Sequence, residues 1–474
     1  MTTPVLDLVS AREAIITGRL TPQEYVAELI DRKQQWDHLN CLVAFDAQKV
    51  RAAAIDRDRV MQRERDSRPL NGLPFVAKDN IDTTDLPTTA CTPALRDHHP
   101  PQNAPVVARL LEAGAILFGK CNMHELAFGV TNNGGAFGAA RNPYDQNLIP
   151  GGSSGGTAAA VSAGLVPFGL GSDTGGSVRI PAALCGIVGL RPTLGRYPQD
   201  GVVPISPTRD TVGPMARCVA DVALVDAVIS GQTASIEPVR LSKLRLGVPR
   251  EYFFENLEPG VARSMEALLH ALKSQGTVLI EESIPNIKAL DEAVSFVVVN
   301  YEARRALEQY LKRSAPSVSF DKLLQQIATP AVKSIYGAIA SNELVSEDTY
   351  LRAINVDRPA LQHAIHDYIK THRLDGYIVP TCCMTARPIG QDDTVELNGA
   401  QVPTFGSFIR NADPSSNAGF PSISIPIGLT DSGLPIGAMI EAQSGSDKRL
   451  LAMAQSIERL CGPIPAPTLK AKKA

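Results

Sequence analysis

Leu73-Pro-Phe-Val-Ala-Lys78, Pro105-Val-Val-Ala-Arg-Leu-Leu-Glu-Ala-Gly114 and Ala115-Ile-Leu-Phe118 decide the architecture. Pro74-Phe-Val-Ala77 is a short apolar run of strand length. The segment from Pro105 predicts a helix closed by a glycine cap, and Ala115-Ile-Leu-Phe118 predicts the next strand. Alternation of strand and helix argues for an α/β layered fold with a mixed or parallel sheet flanked by helices. Toward the N-terminus, Thr21-Pro22-Gln23-Glu24 supplies an N-cap, a proline at the first helical position and a capping-box glutamate. Tyr25, Leu29 and Ile30 follow at helical spacing, and a second, charged helix is expected over 47–64. Toward the C-terminus, Leu244-Arg-Leu-Gly-Val248 predicts a strand, and helices are expected over 260–274, 288–312 and 346–371. Tyr377-Ile-Val379 and Ser422-Ile-Ser-Ile425 predict further strands. No internal repeat or linker stands out. We therefore expect one α/β domain over 1–474, with an N-terminal helical segment over 1–70 and a helical subdomain over about 250–375 covering a cleft.

A chain of 474 residues that is 44% hydrophobic and 20% charged can bury a large core. Its 46 Lys and Arg against 49 Asp and Glu leave a formal charge of −3, so no global field points to nucleic acid or an anionic membrane. Lys470-Ala-Lys472-Lys473 reads as a solvated tail. No stretch reaches the roughly 18–20 apolar residues of a membrane span, and Met1-Thr-Thr-Pro-Val lacks the features of a signal peptide. The eight cysteines contain no CxxC pair, and Cys382-Cys383 are adjacent, which is poor metal or disulfide spacing. They read as reduced, buried thiols of a cytoplasmic protein.

Between 129 and 213 the chain is crowded with Gly, Ser, Thr and Pro, which alone would suggest a linker. Ala158-Ala-Ala-Val161 and Ile187-Val-Gly-Leu190 interrupt it and look like core. Within it lie Gly151-Gly-Ser-Ser-Gly-Gly156 and Gly171-Ser-Asp-Thr-Gly-Gly-Ser177. No lysine follows either cluster as a phosphate-binding loop requires, and Gly169-Leu-Gly171 does not continue into a dinucleotide fingerprint. Gly151-Gly-Ser153-Ser-Gly155 matches a nucleophile elbow, but that chemistry needs a histidine. His363, His366 and His372 sit in an expected solvent-facing helix. The remaining chemistry is serine activation by a neutral lysine, because burial disfavours the ammonium form. Lys78, at the end of an apolar run, meets that demand when read together with two glycine-embedded serines; alone it would pass for a surface lysine at a strand end.

Taken together, Gly72-Leu-Pro-Phe-Val-Ala-Lys-Asp-Asn80, the 151–156 run and Gly171-Ser-Asp-Thr-Gly-Gly-Ser-Val-Arg-Ile-Pro181 resemble the amidase signature family. Ala182-Ala-Leu-Cys-Gly-Ile-Val-Gly-Leu-Arg-Pro192 continues the match, and Ser153 and Ser177 stand 24 residues apart, as in the family. The resemblance runs from about residue 10 to about residue 460. It implies Ser177 as nucleophile, Ser153 as relay through a cis Gly152–Ser153 peptide, and Lys78 as base. It also implies an oxyanion hole from the amides of Thr174, Gly175, Gly176 and Ser177, with Ser154 and Asp173 in support and neither cofactor nor metal.

Asn122-Met-His-Glu-Leu-Ala-Phe-Gly129, Leu194-Gly-Arg-Tyr-Pro198, Ser206-Pro-Thr-Arg-Asp-Thr211, Ala386-Arg-Pro-Ile-Gly-Gln-Asp392 and Asp413-Pro-Ser-Ser-Asn-Ala-Gly419 look most like indoleacetamide and mandelamide hydrolases. A small aromatic amide is therefore the expected substrate, with anilides, esters or carbamates as further candidates. The alternative is an amidotransferase-like subunit working within a complex; a homodimer also stays open. Met123, Leu126 and Phe128 are read either as an aromatic substrate pocket or as core. His124 is expected on a helix surface or in a structural hydrogen bond, Arg209 and Asp210 as a structural ion pair with each other near the site, and Asn417 as a cap or brace of the site.

Overall fold

The computed structural model describes residues 5–64, 68–233, 236–341 and 344–469. Thirteen strands follow in chain order: β1 (Leu42–Ala44), β2 (Pro74–Lys78), β3 (Ile116–Cys121), β4 (Phe168–Asp173), β5 (Val188–Arg191), β6 (Thr211–Ala216), β7 (Arg245–Gly247), β8 (Val278–Ile280), β9 (Gly376–Pro380), β10 (Thr394–Leu397), β11 (Ala400–Pro403), β12 (Ser422–Leu429) and β13 (Pro435–Glu441). Eleven of them form one sheet in the order β1-β3-β2-β4-β6-β5-β12-β13-β9-β7-β8, and β10 and β11 form a separate hairpin. β2 runs parallel to β3 and β4, and β7 runs parallel to β8 and β9. The central pairs from β4 through β6, β5, β12 and β13 to β9 are antiparallel. The sheet is mixed, as the alternating sequence implies.

Every residue of β2, β4 and β6 is buried. That is the mark of strands covered on both faces, which read as continuous rather than alternating apolar runs. The helix Gly155–Ser162, buried along its whole length, packs against β2, β4 and β6 in the middle of the sheet. Gly156 permits that approach: a Cβ there would lie 2.3 Å from the Asn122 carbonyl oxygen.

The expected elements recur with small changes. Thr21 and Glu24 close the capping box at the start of the helix Pro22–Gln35. The charged helix covers Ala47–Glu64, and the helix after Ala104 covers Pro105–Glu112. The N-terminal segment is not purely helical, because β1 adds to the sheet edge beside β3. Between about 250 and 375, the helix Pro259–Ser274 and β8 pack with the sheet. The helices lying away from it begin at the long helix Ile287–Ser314. It shares an apolar cluster with the 123–128 segment. Among the described residues, no helix is long and apolar enough to cross a membrane.

Candidate active site

Lys78 ends β2, and its side chain is fully buried. Its Nζ lies 2.6 Å from Ser153 Oγ, 2.8 Å from Ser172 Oγ and 3.4 Å from the Ser172 carbonyl oxygen. Burial pulls its pKa down to about 7, against the opposing pull of the Asp173 and Asp210 carboxylates. Ser153 sits in the turn before the helix Gly155–Ser162, and the Gly152–Ser153 peptide is cis, as the family resemblance implies. Ser154 laces this turn to β4. Its hydroxyl donates to the Ser172 carbonyl at 3.2 Å and accepts from the Ser172 amide at 3.3 Å, and its amide donates to the Ser177 carbonyl at 3.1 Å. Ser177 Oγ carries no hydrogen bond among the described residues, and Ser177 lines a cavity.

The loop 174–177 leaves the end of β4 under tight restraint. Burial alone would raise the Asp173 carboxyl, but Arg179 and Arg191 hold it well below the usual carboxylate range. Arg179 donates to it through Nε and Nη2, both at 3.0 Å, and Arg191 through Nη1 at 3.0 Å. Gly176 has φ +117°, and a Cβ on it would lie 2.7 Å from Ala412 Cβ, so only glycine fits there. Its N–H donates to Asp173 Oδ1 at 2.9 Å. Of the four amides expected in the oxyanion hole, that of Gly176 is the one that donates to a carboxylate. The amides of Gly175 and Ser177 have no partner among the described residues.

Arg209 and Asp210 are not paired with each other. The 206–210 turn sends them apart: Arg209 pairs with Asp413, while Asp210 accepts from Thr174 Oγ1 at 2.6 Å and from the amides of Ile205 and Ser206. Asn417 reaches the same region through Asp413, at 3.3 Å, and through Asp291, at 2.7 Å.

A cavity of about 50 Å³ beside Ser177 is mainly apolar, bordered by Phe128, Val130, Ile205, Phe296, Val299, Phe405 and Ile409. Phe128 is thus a lining residue. Met123 and Leu126 are not; they point into the apolar cluster shared with the helix Ile287–Ser314. Phe296, 54% exposed, and Phe405 stand 6.1 Å apart, ring to ring.

His124 is buried, with Nδ1 3.5 Å from Thr131 Oγ1, and burial pushes its pKa down to about 4. His363 and His366 are exposed on the helix Arg358–Thr371, with contacts to Pro359 and Gln443. No histidine hydrogen-bonds to the hydroxyl of Ser153 or Ser177 among the described residues.

Two members of the site have no role in the sequence reading. Ser172 is the second hydroxyl on Lys78, and Asn80 Nδ2 donates to Ser172 Oγ at 3.0 Å and to the Val203 carbonyl at 3.3 Å. Their proximity in sequence to Lys78 and Ser177 is the one available signal; nothing in residue spacing joins them to each other.

Known proteins share this architecture. The family model described as Amidase matches residues 24–451. An indoleacetamide hydrolase from Agrobacterium vitis is 44% identical over 456 residues, covering 96% of this chain and 97% of the relative. A mandelamide hydrolase from Pseudomonas putida is 40% identical over 480 residues, covering 98% and 93%. A solved amidase structure superposes with a TM-score of 0.86 at 31% identity, covering 96% of this chain and all of the other. A family match across most of the length, with the fold and the lysine–serine pair both in place, leads to one conclusion: the chain belongs to the amidase family.

Proposed function

We propose that the protein hydrolyses small aromatic carboxamides to the acid and ammonia through an acyl-enzyme on Ser177. The observation that carries this reading is the buried 2.6 Å contact between Lys78 Nζ, at the end of β2, and Ser153 Oγ. A lysine whose pKa lies near 7 has a lone pair available at neutral pH. Lys78 takes the Ser153 proton as Ser153 takes that of Ser177, and Ser177 Oγ forms a bond to the amide carbon. Hydrogen bonds of this kind often close only once substrate is seated. The amides of Thr174, Gly175 and Ser177 receive the developing oxyanion; one such donor is typically worth about 10²–10³-fold in rate. Collapse breaks the C–N bond, and the proton returns from Lys78 through Ser153 to the leaving nitrogen, releasing ammonia. Water then repeats the sequence on the ester and frees Ser177.

The apolar cavity suits an aryl side chain, and the relatives named for indoleacetamide and mandelamide support the same class. Because acyl transfer needs only a leaving group that can be protonated, anilides, esters and carbamates are secondary substrates. We also propose that the chain acts in the cytoplasm, in keeping with its eight free cysteines, and without an amidotransferase partner. The test is ammonia release from indole-3-acetamide and phenylacetamide by the purified chain alone, without ATP or metal. Turnover of these but not of glutamine supports the reading; activity on glutamine alone supports the amidotransferase-like alternative.

A further inference from the structure

We propose that Arg209 is a positioning residue for amide hydrolysis: by holding the Thr174 carbonyl it aims the Gly175 N–H at the substrate's carbonyl oxygen. The inference rests on the reading of Ser177 as nucleophile. Arg209 is 2% exposed, and its guanidinium reaches three acceptors at once. Nε donates to the Thr174 carbonyl at 3.1 Å, Nη1 donates to the Ser295 carbonyl at 3.0 Å, and Nη2 donates to the Asp413 carboxylate. In a trans peptide the N–H points opposite to the C=O. Fixing the Thr174 carbonyl on Arg209 therefore fixes the Gly175 N–H in the opposite direction, on a residue that lines the cavity.

The next amide along, that of Gly176, is turned onto Asp173. Arg209 and Asp173 thus sort two successive N–H groups, one free for an oxyanion and one engaged. Gly175 also sits directly on the ion pair, since a Cβ there would lie 2.9 Å from Asp413 Oδ1 and 3.2 Å from Arg209 Nη2. Asp413 is itself held by the Ser295 hydroxyl and by Asn417 Nδ2. Ser295 belongs to the long helix that carries Phe296 and Val299, both on the cavity wall. The same guanidinium therefore joins the wall that meets the acyl group to the loop that carries the nucleophile. Only a planar fork can satisfy these three acceptors together; an ammonium at the same place can keep Asp413 but not all three.

Arg209→Lys tests this. The measurements are kcat and KM for phenylacetamide, the affinity of phenethylboronic acid, which forms a tetrahedral adduct on a nucleophilic serine, and the affinity of phenylacetate. We expect kcat and boronate affinity to fall together by about 10–100-fold, with KM and phenylacetate affinity within about 3-fold, because the lost interaction is made only with the oxyanion. An unchanged kcat, or equal losses for boronate and phenylacetate, overturns the positioning role. Should thermal unfolding show that Arg209→Lys does not fold, the double variant Arg209→Met with Asp413→Leu removes both buried charges, and the same outcomes decide. A wild-type enzyme that neither hydrolyses phenylacetamide nor takes up the boronate on Ser177 refutes the underlying reading instead. A wild type that does both beside an unaffected Arg209→Lys refutes only the role of Arg209.

Discussion

Replacing Lys78 by methionine should abolish turnover and change how stability depends on pH. In the folded protein the Lys78 pKa lies near 7, against an ordinary value of 10.5, because burial disfavours the ammonium. Between those two values the unfolded chain binds a proton that the folded chain does not, so wild-type stability rises with pH across that window. Below pH 7 both states are protonated, and the folded state bears the full cost, on the order of 5 kcal/mol. From pH 7 to pH 9 the recovery amounts to about 2 kcal/mol. Lys78→Met removes the titration and also removes the hydrogen bonds to Ser153 and Ser172, a loss of about 1 kcal/mol each that does not vary with pH. The variant should therefore compare better with the wild type at pH 7 than at pH 9, its relative standing falling by about 2 kcal/mol between them. Urea unfolding of both proteins at the two pH values reads this difference directly. A stability difference that stays constant between pH 7 and pH 9 would refute the claim that Lys78 is held neutral by burial.

The wild-type kcat/KM should rise along a single acidic limb near pH 7 and hold into the alkaline range, since the proposed base is a lysine held near that value. Replacing His124, His363, His366 or His372 should leave the limb in place, and its loss in one of these variants would return a histidine to the mechanism. Gly176→Ala should fold but lose activity by more than about 10-fold, because its φ of +117° and the nearby Ala412 force the 174–177 loop to move; kinetics compared with thermal unfolding would separate the two effects.

Much of this site is legible in the sequence because its chemistry depends on neighbours along the chain. Lys78 at the end of an apolar run and the two glycine-serine segments raise a lysine-activated serine by residue type and order, and the family resemblance assigns the roles. What escapes such reading depends on distant packing. β4 and β6 lie in the stretch whose composition suggests loops, yet their glycines serve close contact: a Cβ on Gly169 would lie 2.8 Å from Val76 Cγ2, and one on Gly213 2.2 Å from the Leu190 carbonyl. Composition cannot distinguish such glycines from those of a linker. Arg209 and Asp210 look like a pair because they are adjacent, whereas the partner of Arg209 lies on the late helix Asp413–Ala418. Met123, Leu126 and Phe128 share apolar character and one buried cluster, and only the three-dimensional packing makes Phe128 alone of the three border the cavity as well. The Gly176 amide counts as a donor in a glycine loop that offers its N–H groups freely; the Asp173 carboxylate takes that one.

In the proposed mechanism Ser177 attacks substrate and Lys78 activates it through Ser153. Labelling with a fluorophosphonate and locating the adduct by mass spectrometry tests it most directly. Trypsin leaves both serines in one peptide, from Asn142 to Arg179, so the fragment ions between Ser153 and Ser177 decide. The phosphonyl group should sit on Ser177 in the wild type, with labelling slowed by orders of magnitude in Lys78→Ala. An adduct on Ser153, or undiminished labelling of Lys78→Ala, would contradict it.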